Sequence, residues 1–175
     1  MGVPLKNKIA AVWGVLGVVL ILSQACWRLG LESLEALKYE WGPVHWVAFI
    51  LIVLFMAYSE GYKAFQKQFS PRVVSRARTL FTSCTTTQLI LAPLFCMGFF
   101  HATKKRKIIT YCVTFGIILL IIGVRLMPHP WRGMVDVGVV IGLSWGMIAI
   151  IAFTLIAWKK PDWDYPPDLP ESEKL

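Results

Sequence analysis

The chain has 175 residues, of which 57% are hydrophobic and 16% are charged, and its mean hydropathy is +0.62. A soluble domain of this length must show water a large polar surface, so the composition excludes a water-soluble globular domain and favours an integral membrane protein. The net charge of +8 does not indicate a nucleic-acid partner. Most of the basic residues flank apolar runs, as they do in proteins that face an anionic membrane surface.

The first apolar run covers residues 9–27 and follows Lys6 and Lys8. About 20 apolar residues cross the ~30 Å hydrocarbon core of a bilayer, so this run predicts a transmembrane helix. A signal peptide can begin in the same way, but residues 23–26 form a poor lipoprotein cleavage box, and we interpret the run as a retained span. Residues 29–43 place leucines and glutamates at helical spacing, which predicts a short amphipathic helix on the membrane surface.

Residues 44–62 form the second predicted span, and a basic segment follows at residues 63–78. Within that segment, Ser70 and Pro71 are typical of an N-cap followed by proline at the first helical position. This pattern predicts that one helix ends near residue 68 and that another begins at residue 71.

Residues 79–101 are ambiguous because a polar stretch, residues 82–88, precedes an apolar run that contains Pro93 and is only 12 residues long. An apolar run of this length is more often re-entrant, interfacial or buried than spanning. Residues 108–125 and 134–158 are the third and fourth predicted spans. The acidic, proline-rich tail, residues 161–175, is expected to be extended or disordered because it cannot build a core.

The predicted fold is all-α: a polytopic membrane bundle in one domain, residues 1–160, with four transmembrane helices plus a re-entrant or short fifth segment at residues 79–101. With the N-terminus in the cytoplasm, four spans place 14 Lys and Arg residues inside and four outside, whereas five full spans give nine on each side. The positive-inside rule therefore favours four spans. It predicts that both termini are cytoplasmic, and we expect the membrane to be a bacterial inner membrane.

Glycine recurs every fourth residue in the last span, at Gly138, Gly142 and Gly146. This spacing places the three glycines on one helix face, where another backbone can approach closely. The face could pack inside the bundle, with Gly14 and Gly17 as a partner surface, or form an interface with another subunit.

Ionisable residues at membrane depth are costly and therefore suggest function. Asp136 could form a salt bridge to Arg125 or Arg132, or it could take part in an ion or ligand path with the polar residues of the ambiguous segment, Thr86, Thr87 and Gln88. Glu60 is expected to pair with Arg72 or Arg76. Contact with lipid headgroups is predicted for the basic residues Arg72, Arg76, Arg78, Lys104, Lys105, Arg106 and Lys107.

The sequence contains no G-x-S-x-G, H-E-x-x-H or Walker pattern, and its four cysteines show no C-x-x-C spacing. No metal or cofactor is predicted, since the three histidines, His45, His101 and His129, are too few and too scattered for a transmembrane haem. The sequence favours a non-enzymatic accessory or assembly subunit, with anionic lipids and other membrane subunits or further copies of itself as partners. The alternative is a small oligomeric transporter or channel that uses residues 82–101 and Asp136.

Overall fold

The computed structural model describes residues 3–160, 163 and 165–170, with Leu37 described by its backbone alone. Helices make up 82% of the chain, and the described residues contain no β-strand. A 3-10 turn, Ala36–Lys38, follows the first helix, and a π-helical segment, Ala57–Phe69, joins the second helix to the third without a break. The α-helices are α1 (Leu5–Glu35), α2 (Pro43–Met56), α3 (Ser70–Thr82), α4 (Thr86–Ile90), α5 (Ala92–Met97), α6 (Lys104–Arg125) and α7 (Trp131–Lys159).

Four helices are long and apolar enough to cross a membrane: Leu5–Glu35, Pro43–Thr82, Lys104–Arg125 and Trp131–Lys159. The prediction of an all-helical chain with four candidate spans is confirmed. Each helix extends beyond the apolar run that identified it, most of all Pro43–Thr82, which continues through the basic segment.

Contacts between helices fix their relative directions. Near the start of α1, the Asn7 amide donates to the carbonyl of Thr82, 3.1 Å away, at the end of α3. Near the end of α1, Glu32 bonds Arg132 at the start of α7. Helices α3 and α7 therefore both run antiparallel to α1. We call the end that holds Lys6, Thr82 and Lys160 the terminal end of the bundle, and the opposite end, where Ala36, Pro43 and Trp131 lie, the hairpin end.

Helix α3 lies at the centre of the bundle, although its sequence is polar and basic. Eight of its 13 residues are buried, and its apolar side chains Val73, Ala77 and Leu80 belong to the same core cluster as Val18 of α1 and Ile150 of α7. The three- and four-residue spacing of those apolar positions gives α3 one continuous packing face.

Two predictions about the helix boundaries are wrong. Residues 29–35 do not form a separate surface helix, because α1 continues to Glu35. The helix also does not end between residues 68 and 71. The Ser70 hydroxyl donates to the Gly146 carbonyl, 3.3 Å away, and does not cap a helix. Pro71 lacks an N–H and its ring crowds the preceding turn, and the wider π-helical turns before it accommodate both effects.

Residues 79–101 contain the two short helices α4 and α5, which have five and six residues. They lie along the first half of α1: Lys6 donates to Thr86, and Cys96 and Pro93 fill the space beside Gly14 and Gly17. The chain then turns at Gly98, whose φ of 88° is left-handed and suits glycine.

Candidate functional site

The guanidinium of Arg76, on α3, is the centre of the largest polar cluster at the terminal end. Its side chain is 0% exposed. It donates to the carbonyls of Phe95 at 2.6 Å and of Phe100, His101 and Pro167 at 2.9 Å each. It also lies 4.2 Å from the centre of the Phe95 ring. Arg76 therefore holds together α3, the end of α5, the turn that follows it and the C-terminal tail.

The described part of the tail crosses this cluster, and we call residues 163 and 165–170 the strap. The Trp163 indole donates to the Ser75 hydroxyl, 2.8 Å away, and Leu169 is buried in the core. The strap has no helix or strand, and it is docked on α3. The rest of the 161–175 tail lies outside the described residues.

Asp168 of the strap makes two further contacts. Its carboxylate accepts from Arg72 Nε at 3.0 Å, and its carbonyl accepts from the backbone N–H of Thr103 at 3.0 Å. Thr103 in turn caps α6 through its hydroxyl, which accepts from the N–H of Arg106. The strap thus connects α3 to the first turn of α6.

A second polar cluster lies at the hairpin end. Arg132 donates to Glu32 Oε2 at 2.6 Å, while its Nε lies 3.9 Å from Asp136 Oδ2. Asp136 is only 5% exposed. The sequence predicts a pairing of Asp136 with Arg125 or Arg132. It does not predict that Glu32 is the closer partner of Arg132, because it does not show that α1 reaches this far.

The possible ion or ligand path is not assembled. Asp136 lies beside Glu32, whereas Thr86 bonds Lys6, and 26 residues of α1 separate those two partners, which is about 39 Å of helix. The polar residues of the ambiguous segment also have a local role. The Thr85 hydroxyl accepts from the N–H of Gln88, and the Gln88 side chain accepts from the N–H of Thr85, which makes a capping box for α4. Thr87 is exposed.

The three glycines of α7 face the chain's own helix Pro43–Thr82. A Cβ at Gly138 would meet Met56, one at Gly142 would meet Glu60, and one at Gly146 would meet Phe65. The suggestion that Gly14 and Gly17 pack against these glycines is wrong, since both face α5 instead. Glu60 lies against Gly142 and makes no ion pair with either arginine among the described residues.

The predicted headgroup contacts separate into two groups. Arg76 is fully buried and cannot reach a headgroup, contrary to the prediction, and the Arg72 side chain is 11% exposed and bonded to Asp168. Lys104 and Lys105 are exposed, and the remaining members, Arg78, Arg106 and Lys107, are partly exposed.

The cysteines and histidines lie in separate surroundings. All four cysteines are free thiols, and burial raises the pKa of Cys96 to about 12, although the charge of Arg76 opposes the shift. His45 packs on Trp131, and His129 stacks on Tyr39. The described residues contain no group of three or more side chains that could hold a metal ion.

Comparisons of the chain with protein-family models, with curated proteins and with solved structures give no match. What the geometry establishes is a helical chain with four candidate membrane spans and two polar clusters, one at each end of the bundle.

Proposed function

We propose that the chain is a non-enzymatic accessory or assembly subunit of a larger membrane complex, and that α6 packs against a transmembrane helix of another subunit. The isolation of α6 carries this proposal. Only 6% of the residues in its most apolar stretch are buried, compared with 33% in α1. The helix Pro43–Thr82 has the same low share, but the glycine face of α7 packs against it, whereas the glycines of α6 have no neighbour among the described residues. Lipid tails are as apolar as the side chains of α6, so a bilayer tolerates such a helix, and its surface stays free for a partner.

The surface of α6 offers a place for close helix packing. Gly116 and Gly123 are seven residues apart and therefore lie on one helix face. A Cβ at either position would meet nothing within 4 Å. Small residues let a second backbone approach closely, which is the usual basis of helix association in membranes. The glycine face of α7, in contrast, is already occupied by the chain itself.

The transporter or channel alternative has less support. The residues that it requires lie at opposite ends of the bundle, and each has a local partner or role: Asp136 with Arg132, Thr86 with Lys6, and Gln88 in the capping box. We also propose a bacterial inner membrane as the location, and the count of 14 basic residues against four favours an orientation with both termini in the cytoplasm.

Purification of the tagged chain in a mild detergent tests the proposal, with the accompanying proteins identified by mass spectrometry. We expect at least one other membrane protein in the wild-type sample and its loss in the double variant Gly116→Leu, Gly123→Leu. Gly30→Leu is the matched control, because Gly30 of α1 also has nothing within 4 Å of its Cβ position.

Two results would contradict the proposal. If the double variant retained the same partners as the wild type, α6 would not be the interface. If the wild-type sample held only this chain, and that chain alone conducted an ion after reconstitution, the transporter alternative would replace the accessory role.

A further inference from the structure

We propose that Arg72, Arg106 and the first turn of α6 form a binding site for the phosphate of an anionic lipid headgroup, and that Asp168 of the strap occupies this site in the described conformation. The inference is independent of the accessory role, because it concerns the terminal end of the bundle and not the exposed face of α6.

An anion is already seated in the site. The Asp168 carboxylate lies 3.0 Å from Arg72 Nε, and both Arg72 and Asp168 lie within electrostatic reach of the Arg106 guanidinium. Asp168 reaches this place with a φ of 51°, a left-handed conformation that aspartate adopts more readily than most L-residues. Its carboxylate shows that the site accepts an anion, and a group with a larger negative charge would compete with it for the same donors.

Two donors on one face of α6, in Arg106 itself and one turn further along at Thr110, also lack partners. Arg106 Nε and Thr110 Oγ1 are buried and have no hydrogen-bond partner in the part of the chain that the structure describes. Thr110 is 8% exposed, and both atoms face Gly98, within 3.8 Å of the position that its Cβ would take. Buried donors without partners are costly, so an additional acceptor would be favoured here.

The position and charge of the site suit a phosphate group. Helix α6 has 22 residues, and Thr103, which caps its partly positive N-terminus, donates its backbone N–H to the Asp168 carbonyl. Lys104 and Lys105 stand exposed beside it. The apolar part of α6 begins at Ile108, so the site lies at the depth of lipid headgroups if α6 spans the bilayer. The phosphomonoester of phosphatidic acid offers three acceptor oxygens, more than a carboxylate, and a larger negative charge.

Lipid retention measures the site directly. The full chain is reconstituted in nanodiscs of phosphatidylcholine with or without phosphatidic acid, and the phosphatidic acid retained per chain is measured by native mass spectrometry. We expect Arg106→Gln to lower the apparent affinity about tenfold, which corresponds to the loss of one charge-assisted hydrogen bond. Asp168→Asn should raise retention, because it weakens the internal competitor. Lys159→Gln, which removes one exposed charge at the same end, should leave retention unchanged.

A second measurement uses the wild-type chain and does not depend on the folding of a variant. The N–H of Thr103 donates to Asp168, so phosphatidic acid should speed hydrogen exchange at Thr103 if it displaces the strap. An arm with inorganic phosphate in phosphatidylcholine nanodiscs distinguishes the sources. Faster exchange with the lipid alone identifies the headgroup, whereas faster exchange with free phosphate at the same concentration assigns the site to a soluble anion.

Three results would overturn the proposal: equal retention by Arg106→Gln and the wild type, an equal loss in Lys159→Gln, or exchange at Thr103 that neither probe changes.

Discussion

At the scale of single residues, Arg76 shows how this chain holds a charge inside a helical bundle. A buried guanidinium is costly unless its N–H groups find acceptors. Four backbone carbonyls, of Phe95, Phe100, His101 and Pro167, supply them. Three of those carbonyls come from the end of α5 and the turn that follows, and the Phe95 carbonyl also accepts from the N–H of Gly98. The arginine therefore ties the end of α5 and its turn to α3.

Replacement of this arginine should be costly. Arg76→Met keeps the apolar stem but removes the guanidinium bonds to all four carbonyls, so we expect the chain to lose about 3 kcal/mol of stability. Unfolding by titration with sodium dodecyl sulfate, followed by circular dichroism, measures the loss. Lys105→Met removes an exposed charge nearby and should change stability by less than about 0.5 kcal/mol. Similar values for the two variants would show that Arg76 does not hold the cluster together.

At the scale of helices, the sequence predicts the spans better than it predicts their partners. Apolar runs are a local property, so residues 9–27 and 134–158 are visible without a structure. The partner of the glycine face depends on which helix the loops bring alongside α7. The four-residue spacing of the glycines does not identify that helix. Arg76 could have been found, because it lies at helical spacing with Val73 and Leu80 on the apolar face of α3. The carbonyls that accept from Arg76 could not have been predicted, since backbone carbonyls leave no pattern in a sequence.

The glycine face of α7 leads to a prediction that separates internal packing from a subunit interface. A Cβ at Gly142 would lie 3.0 Å from the Cβ of Glu60, so the side chain of Gly142→Leu would push α7 away from the helix Pro43–Thr82. We expect this variant to lose about 2 kcal/mol of stability, as overpacked cores do. Gly123→Leu in α6 meets open space and should unfold like the wild type in the same detergent titration. Loss of a partner from a Gly142→Leu chain of normal stability would instead place the interface on α7.

At the scale of the whole molecule, the two polar clusters mark the two ends of the bundle. Glu32, Arg132 and Asp136 tie α1 to α7 at the hairpin end, and Arg72, Arg76 and the strap tie α3 to α6 at the terminal end. Between the clusters the helices pack through apolar residues and glycines, with the exception of Glu60, which lies against Gly142. A bundle closed at both ends by polar groups is suited to a membrane, because most of its paired charged side chains then lie near the aqueous surfaces.

This arrangement predicts which residues share one side of the membrane. Lys105 lies just after Thr103, which the strap holds at the terminal end, whereas Glu40 lies between α1 and α2 at the hairpin end. In a chain whose four cysteines are replaced by alanine, a membrane-impermeant maleimide added to intact cells should label Glu40→Cys and should not label Lys105→Cys until the cells are opened. The physical reason is that, in a chain with four spans, α6 and the continuous helix Pro43–Thr82 each cross once, so the short helices α4 and α5 return to the side from which they start. Labelling of both positions from outside would establish a fifth crossing within residues 79–101 and would place the strap on the opposite side from the N-terminus.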